Sequence, residues 1–383
     1  MKKVISTEKI PIKIWLDNIE NGALQQAKNL ANLPFAYKWI SIMPDSHQGF
    51  GMPIGGIMAT KRIIVPNAVG KDIGCGMCAV KTPLTEIDTE TLKKIMDEIR
   101  KVIPVGFGHH KEKQNIDLMP HLPDVAPIAW KERENALTQI GTLGGGNHFI
   151  EIQKGSDGHI WIMVHSGSRN FGLKIADYYN KLAISFNEKW YSKIPKEWEL
   201  AFLPIESEEG NAYYNEMKCA VEFALANRKL MMDRIKDIFG RITQYGFEPM
   251  INIAHNYASL ENHFGENVLV HRKGATLARK GTIGIIPGSM GTASYIVEGL
   301  GNKESFESCS HGAGRKMSRK KAIETLDLEK EQKKMEGIIG APRSQGELEE
   351  APGAYKDISE VMANQDDLVK ILVELKPLAV IKG

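Results

Sequence analysis

The sequence is poor in cysteine and has little excess charge of either sign. Its 383 residues include four cysteines, Cys75, Cys78, Cys219 and Cys309, too few for a disulfide framework in a chain of this length. We therefore expect reduced thiols, or a metal ligand among them. The formal net charge is +2, which excludes a general attraction to polyanions. Any nucleic-acid binding must come from local basic clusters.

Long hydrophobic runs are also missing. No segment approaches membrane-spanning length, and the amino terminus carries lysines without the apolar run of a secretion signal. We therefore expect a cytoplasmic protein with no membrane partner. Hydrophobic residues make up 42% of the chain and charged residues 25%, which is typical of a globular protein with an ample core.

One stretch combines a histidine, a glycine turn and four cations. His311 precedes Gly312-Ala313-Gly314, and the cations that follow are Arg315, Lys316, Arg319 and Lys320. The backbone N–H groups of such a turn can hold a phosphate, to which cations add contacts. His311 would then be a ligand, an acid or a nucleophile. The alternative is a helix N-terminus with a solvated histidine.

Five more side chains with metal-binding atoms lie on turns at or near the ends of expected strands: Asp72, Cys75, His148, His165 and His255. Asp72 and Cys75 are separated by two residues, which lets a carboxylate and a thiolate converge on one point. The set could hold one metal ion with ligands to spare, or two ions that share the thiolate. Thiolate and imidazole fit zinc, cobalt or manganese.

A C-x-x-C pair offers another interpretation of Cys75. Cys75 and Cys78 could form a redox dithiol or half of a zinc site. The sequence has no second such pair and no helix beginning at Cys75 to lower a thiol pKa. We therefore interpret Cys78 as a small buried apolar residue. A separate pair, His109 and His110, is interpreted as surface histidines.

Apolar periodicity predicts several helices and a closing strand. The helices are expected over residues 16–32, 88–102 with Asp88 as cap, 173–188, 213–239 with Gly240 as stop, and 316–336. Strands, helices and glycine loops mix without a regular βα alternation. We therefore expect an α+β fold, a single compact domain over residues 1–383 with mixed sheets and helices around a metal-lined central cleft.

Eight motifs occur in order along the chain. They are Pro44-Asp-Ser-His-Gln-Gly-Phe-Gly51, Asp72-Ile-Gly-Cys-Gly-Met77, Gly144-Gly-Gly-Asn-His-Phe149, His165-Ser-Gly-Ser-Arg169, Ala254-His-Asn256, Pro287-Gly-Ser-Met-Gly291, His311-Gly-Ala-Gly-Arg315 and Val380-Ile-Lys-Gly383. This series resembles the RtcB-type RNA ligases over residues 44–383. The resemblance implies an RtcB-like fold and an enzyme that joins an RNA 3′-phosphate or 2′,3′-cyclic phosphate to a 5′-hydroxyl, using GTP and two manganese ions.

The resemblance also implies roles for individual residues. His311 would attack the α-phosphate of GTP to form a histidine–GMP intermediate. Cys75 would bridge two manganese ions, one with Asp72 and His148 and the other with His165 and His255. Asp45 would help to orient the site. The guanylate would lie against Asn147, His148, Phe149, Ile150, Glu151, His255, Asn256, Pro287, Gly288, Ser289, Met290, Ser294, His311, Gly312, Ala313, Gly314, Tyr355 and Lys382.

Arg169, Arg315 and Arg319 match the candidates for RNA phosphate contacts, and an archease-like activating partner is compatible with the resemblance. Lys71 and residues 340–346 depart from the family pattern, which leaves the choice between tRNA splicing and RNA repair open. Two other functions also stay open. One is a dinuclear metallophosphoesterase acting on RNA ends with His311 as an acid, and the other is a catalytically idle binder of RNA ends. A hydrolase needs no nucleotide loop, and the presence of all five ligands weighs against the idle binder.

Overall fold

Helices and strands mix irregularly along the chain, which confirms the expected α+β class. The computed structural model describes residues 1–243 and 246–383. The helices are α1 (Asn21–Ala31), α2 (Pro66–Val69), α3 (Thr89–Val102), α4 (Pro127–Gln139), α5 (Arg169–Lys189), α6 (Glu208–Thr243), α7 (Arg319–Thr325), α8 (Leu328–Lys334) and α9 (Ile358–Ala363). No helix within the described residues is long and apolar enough to cross a membrane.

The strands form two large sheets and two small pairs. They are β1 (Lys3–Ile5), β2 (Ile12–Ile14), β3 (Ala36–His47), β4 (Ile54–Thr60), β5 (Ile63–Ile64), β6 (Gly76–Lys81), β7 (Phe149–Gly155), β8 (Ile160–Ser166), β9 (Leu203–Pro204), β10 (Ile251–Ala254), β11 (Asn256–His263), β12 (Glu266–Lys273), β13 (Ala275–Leu277), β14 (Ile283–Ile286), β15 (Ser294–Gly299), β16 (Ser308–Ser310) and β17 (Val369–Lys382).

The first sheet has the order β1-β2-β3-β4-β12-β11 and the second has the order β10-β6-β8-β7-β17-β15-β14. β2 and β3 pair in parallel, whereas the neighbours in the second sheet are antiparallel. β17 pairs through its first half with β15 and through its second half with β7, with a register shift near Pro377. This long strand confirms the prediction of a closing strand.

Helix α3 forms where its sequence pattern predicts. The Asp88 side chain accepts a hydrogen bond from the Thr91 backbone N–H, which caps the first turn. Leu92, Ile95 and Ile99 recur at helical spacing and are buried against the second sheet and α6. Burial of this apolar face holds the helix in place.

Several helix boundaries differ from the predictions. Gly240 does not end α6, which continues to Thr243. A glycine inside a helix costs only about 1 kcal/mol relative to alanine, and the buried Ile238 and Phe239 beside it hold the helix to the core. The expected helix over 316–336 is two helices, because the Asp327 side chain caps a new first turn at Lys330. Helix α5 begins at residue 169 and α1 at residue 21.

Helix α6 packs on the second sheet and runs behind the strand ends that carry the predicted ligands. Met231, Met232 and Ile235 from this helix join the core formed with the sheet. These two methionines are therefore packing residues. Asp45 lies near the end of β3 in the first sheet, and the cysteine and histidines lie at one edge of the second sheet.

Candidate active site

Four neighbouring strands of the second sheet bring donor side chains to one edge. Because β10, β6, β8 and β7 are antiparallel neighbours, the end of one strand lies beside the start of the next. His255 follows β10, Cys75 precedes β6, His165 lies near the end of β8, and His148 precedes β7. Residues far apart in sequence thus become neighbours.

The thiol lies at the centre of this group. Cys75 Sγ is 3.3 Å from His165 Nε2 and 3.5 Å from His148 Nε2. His148 Nε2 is also 3.2 Å from Asp72 Oδ2. The Asn256 side-chain amide donates to the Asp72 backbone carbonyl, which ties the 72–75 turn to the start of β11. The structure therefore brings Asp72 and Cys75 together, as their spacing predicts, and places His148 and His165 beside them.

Backbone carbonyls fix the two imidazoles in the orientation that metal binding needs. His148 Nδ1 is 2.9 Å from the Leu143 carbonyl oxygen, and His165 Nδ1 is 3.0 Å from that of Asn147. A proton on each Nδ1 leaves a lone pair on Nε2, which faces Cys75. Burial lowers the pKa of His165 well below its ordinary value. The neutral, metal-binding form is therefore favoured.

His255 supplies a test of whether a metal ion fits. Its side chain is buried, and its Nδ1 has no hydrogen-bond partner. Its ring centroid is 5.2 Å from that of His165 and 4.7 Å from that of His311. Burial lowers the pKa of His255 well below its ordinary value, so protonation would not satisfy the nitrogen. An unpaired nitrogen beside a thiol and two oriented imidazoles fits a transition-metal ion.

His311 rests on a buried carboxylate. It follows β16, and Asp45 Oδ2 accepts one hydrogen bond from its backbone N–H at 3.1 Å and a second from Nδ1 at 2.6 Å. Burial raises the pKa of Asp45, but the His311 imidazole and Lys356 together lower it by a larger amount. The pKa of Asp45 therefore lies below its usual value. Ionised Asp45 thus holds the proton on Nδ1 and leaves the Nε2 lone pair available.

The glycine turn after His311 fits closely against the same strand. Gly314 has a φ of +74°, and a Cβ at this position would lie 2.0 Å from the Asp45 carbonyl oxygen. Only glycine fits there without movement of the backbone. The turn and β3 are therefore packed as one unit, which places the 312–314 backbone beside His311.

A cavity of about 270 Å³ joins the histidine, the glycine turn and the donor cluster. The predicted residues that line it are Asp72, Cys75, Asn147, Phe149, His165, His255, Asn256, Pro287, Gly288, Ser289, Met290, His311, Gly312, Ala313, Gly314, Arg315, Arg319, Tyr355 and Lys382. Residues from both sheets and from three glycine-rich loops thus face one space. The residues predicted to bind metal and those predicted to bind the nucleotide therefore share a single cavity.

Comparison with known proteins gives one consistent result. The model of a family described as tRNA-splicing ligase RtcB matches residues 26–126 and 119–383. The chain is 39% identical to the RNA-splicing ligase RtcB of Escherichia coli (strain K12), over 100% of this chain and 99% of that protein. This chain belongs to the RtcB family. It is also 32% identical to the tRNA-splicing ligase RtcB of Pyrobaculum aerophilum and 31% identical to that of Thermococcus kodakarensis, over 98% of this chain and 95% of each relative.

Some residues that the RtcB resemblance assigns to the guanylate lie behind the cavity wall. Ile150 packs into the hydrophobic core. Glu151 accepts a hydrogen bond from the Gln153 side-chain amide, which also reaches Ser294 Oγ at 3.3 Å. Ser294 Oγ accepts from the Gly288 backbone N–H at 3.1 Å. These residues therefore support the lining loop, and their side chains do not line the cavity.

The arginines assigned to RNA differ in their surroundings. Arg315 Nη1 is 3.0 Å from one oxygen of Glu350, Arg319 Nε is 2.7 Å from the other, and the Tyr355 hydroxyl donates to the same carboxylate. Glu350 is buried, and sequence reasoning missed it because it lies in a polar loop with no neighbouring motif. Arg169 lies on the other side of Asp72, in a second cavity.

A buried arginine behind the ligands was also missed. Arg228 of α6 is fully buried, and its Nη1 donates to the Gly74 carbonyl at 2.9 Å and to the Ser166 carbonyl at 2.8 Å. It therefore joins the ends of β6 and β8 and places positive charge near Cys75. Cys78 is fully buried in the core, and burial raises its pKa to about 12. The interpretation of Cys78 as a buried apolar residue is confirmed.

A second group of metal-binding side chains has a different explanation. Glu261, His263 and Glu307 lie close enough to hold an ion. However, Arg272 donates to both oxygens of Glu261, and Arg279 lies 3.4 Å from Glu261 Oε2 and 3.0 Å from Glu307 Oε2. These two guanidinium groups already neutralise the carboxylates. The group is best explained as a buried ion-pair network.

Proposed function

We propose that this protein is a GTP- and manganese-dependent RNA ligase, which joins RNA 3′-phosphate or 2′,3′-cyclic phosphate ends to 5′-hydroxyl ends in tRNA splicing or RNA repair. Membership of the RtcB family and the printed names of its relatives support RNA end joining. The observation that carries the proposal is the pairing of His311 Nδ1 with buried Asp45, on the same cavity as the Cys75 cluster.

In the first step, the Nε2 lone pair of His311 attacks the α-phosphorus of GTP. An N–P bond forms, and the P–O bond to the departing pyrophosphate breaks. The ring becomes cationic as the bond forms, and ionised Asp45 stabilises it through the 2.6 Å hydrogen bond to Nδ1. The glycine turn offers backbone N–H groups to the phosphate oxygens.

In the second step, an oxygen of the RNA 3′-phosphate attacks the phosphorus of histidine–GMP, and the N–P bond breaks. The RNA end becomes a pyrophosphate linked to guanosine, so that it now carries a good leaving group. The 5′-hydroxyl then attacks the RNA phosphorus, loses its proton to water and displaces GMP. A 2′,3′-cyclic end must first be opened by water to a 3′-phosphate.

Manganese would be held by Asp72, Cys75, His148, His165 and His255. When bound, it neutralises phosphate oxygens around the reacting phosphorus. The protein's own contribution is to orient both imidazoles through the carbonyls of residues 143 and 147, which bond Nδ1 and leave Nε2 facing the thiol. Because the thiol must lose its proton to bind a metal, loading of the site should improve as pH rises.

Incubation with α-labelled GTP and manganese, followed by denaturation, tests the proposal. We expect an acid-labile label on the wild-type protein and none on His311→Ala. Cys75→Ala should abolish labelling, whereas the matched control Cys78→Ala should largely retain it. Absence of label on the wild type with any divalent metal would reject the ligase and favour a metallophosphoesterase. Equal loss in both cysteine variants would restore the C-x-x-C interpretation.

A further inference from the structure

A fully exposed phenylalanine lies on a well-anchored turn near the metal-binding residues. The Phe107 side chain is 103% exposed, so its ring packs against nothing in the fold. The turn that carries it is nevertheless tied down, because the Gly106 N–H donates to the Gly144 carbonyl at 2.8 Å and the Gly108 N–H donates to the Val105 carbonyl at 3.0 Å. An aromatic ring is thus held in solvent by an ordered backbone.

The surroundings of Phe107 are basic and aromatic. Arg169 Nη2 donates to the Gly106 carbonyl at 2.9 Å. Arg169, Lys71, His109 and Phe107 all line one cavity of about 440 Å³. Lys71 Nζ also lies 5.9 Å from the ring centroid of Phe50, a second exposed aromatic. Cations for phosphates beside rings for bases are the usual components of a single-stranded nucleic-acid surface.

This cavity adjoins the metal-binding residues and meets the nucleotide cavity at Asp72. Asp72 lines both spaces, and His148 lines the second one. His311 and the glycine turn line the first space, where GMP would lie. In a phosphoryl transfer the attacking and leaving oxygens are roughly in line. A 5′-hydroxyl that displaces GMP must therefore approach from the side away from the nucleotide. The second cavity contains neither His311 nor the glycine turn, so it offers a separate approach to the metal-binding residues.

We propose that the second cavity receives the single-stranded RNA that bears the 5′-hydroxyl, and that Phe107 stacks on a base near that end. The inference rests on the proposed ligase function, since it uses the position of GMP. Arg169 and Lys71 would contact phosphates of the same strand, while the ring accepts any base because every base has a flat face. The predicted preference is for unpaired 5′ ends over paired ones.

Binding of a fluorescent RNA tests this inference. The probe is a single-stranded RNA with a 5′-hydroxyl and a dye on its 3′ end, so it cannot be ligated. Wild-type protein loaded with manganese should bind it, and Phe107→Ala should weaken binding about 5- to 150-fold. Phe107→Trp should restore the affinity. Tyr191→Ala is the matched control, because Tyr191 is 90% exposed but lies outside this cavity, and its affinity should be unchanged.

A second arm links the ring to a base and separates this inference from the ligase proposal. An RNA that is abasic at its first 5′ nucleotides should bind wild type as weakly as intact RNA binds Phe107→Ala, and the variant should not discriminate between the two. Labelling by α-labelled GTP should stay normal in Phe107→Ala. The inference would be overturned if Phe107→Ala and Tyr191→Ala bound intact RNA equally well. It would also be overturned if Phe107→Ala weakened the binding of abasic RNA as much as that of intact RNA. Loss of GTP labelling in the wild type would instead reject the ligase mechanism.

Discussion

Replacement of Asp45 by asparagine tests whether this carboxylate controls the proton on His311. The two side chains have nearly the same shape, but asparagine carries no charge and its amide can donate. The 2.6 Å bond to Nδ1 would lose its ionic partner, and an amide N–H facing Nδ1 would move the ring proton to Nε2. In that tautomer the attacking atom has no lone pair.

The magnitude follows from the bond that is lost. A hydrogen bond to a charged group contributes about 1.5–3 kcal/mol, which at about 1.4 kcal/mol per factor of ten corresponds to a rate loss of about 10- to 150-fold. A reversed tautomer would increase the loss to about 10,000-fold, as for orienting carboxylates in hydrolytic triads. Binding of GTP should change little, because Asp45 is fully buried behind His311.

Single-turnover labelling with α-labelled GTP measures the rate, and fluorescence titration with a GTP analogue measures binding. Glu216→Gln is the matched control. Glu216 is also a fully buried carboxylate, but it accepts from the backbone of residues 128 and 129 and does not line the nucleotide cavity. Normal labelling in a folded Asp45→Asn protein would refute the reasoning, as would an equal loss in both variants.

Burial lowers the pKa of His271 to about 4, so the unfolded chain takes up a proton at pH values where the folded protein does not. The free energy of unfolding should therefore fall by about 2–3 kcal/mol as pH drops from about 6.5 towards 4. Urea titrations at several pH values should show a shallower fall in His271→Gln, and the same pH dependence in both proteins would contradict this prediction. Glu350→Ala leaves two arginines without their shared carboxylate and should lower the free energy of unfolding by about 3 kcal/mol. A change below about 0.5 kcal/mol in the same titration would show that solvent screens both ion pairs. Gly314→Ala should push the turn away from Asp45 and reduce GTP labelling at least tenfold, about 1.4 kcal/mol. Gly346→Ala should label normally, because its Cβ would meet only Ser344 Oγ, at 4.0 Å.

The donor cluster could be predicted because each donor stands next to a short apolar run. Cys75, His148, His165 and His255 all adjoin strands of a buried sheet, and strand ends are where side chains from different segments meet. Which strands are neighbours could not be predicted, since the order of the second sheet does not follow the order of the chain. The roles of these residues in binding metal and nucleotide stay predictions.

Glu350 and Arg228 could not be predicted for a different reason. Glu350 lies in a polar loop and Arg228 in a long helix, and the sequence of neither segment indicates burial of a charge. Only tertiary contacts reveal that both side chains are buried. Charged residues are seldom fully buried, so a sequence pattern gives them a surface position by default. The exposure of Phe107 could not be predicted for the opposite reason. Its neighbouring glycines indicate a loop, but an aromatic residue is expected to be at least partly buried, and this ring is fully exposed.

The place of β17 in the second sheet has a consequence for biosynthesis. Within the described residues, β17 is the strand that hydrogen-bonds to both β7 and the β14–β15 hairpin, and it is synthesised last of all the sheet's strands. A nascent chain that has not yet reached residue 369 therefore carries two separate pieces of sheet, each with an unpaired edge. During translation these edges would be exposed to other chains. Slowing of the ribosome before residue 369 should therefore increase aggregation, and chaperones that shield strand edges should relieve it.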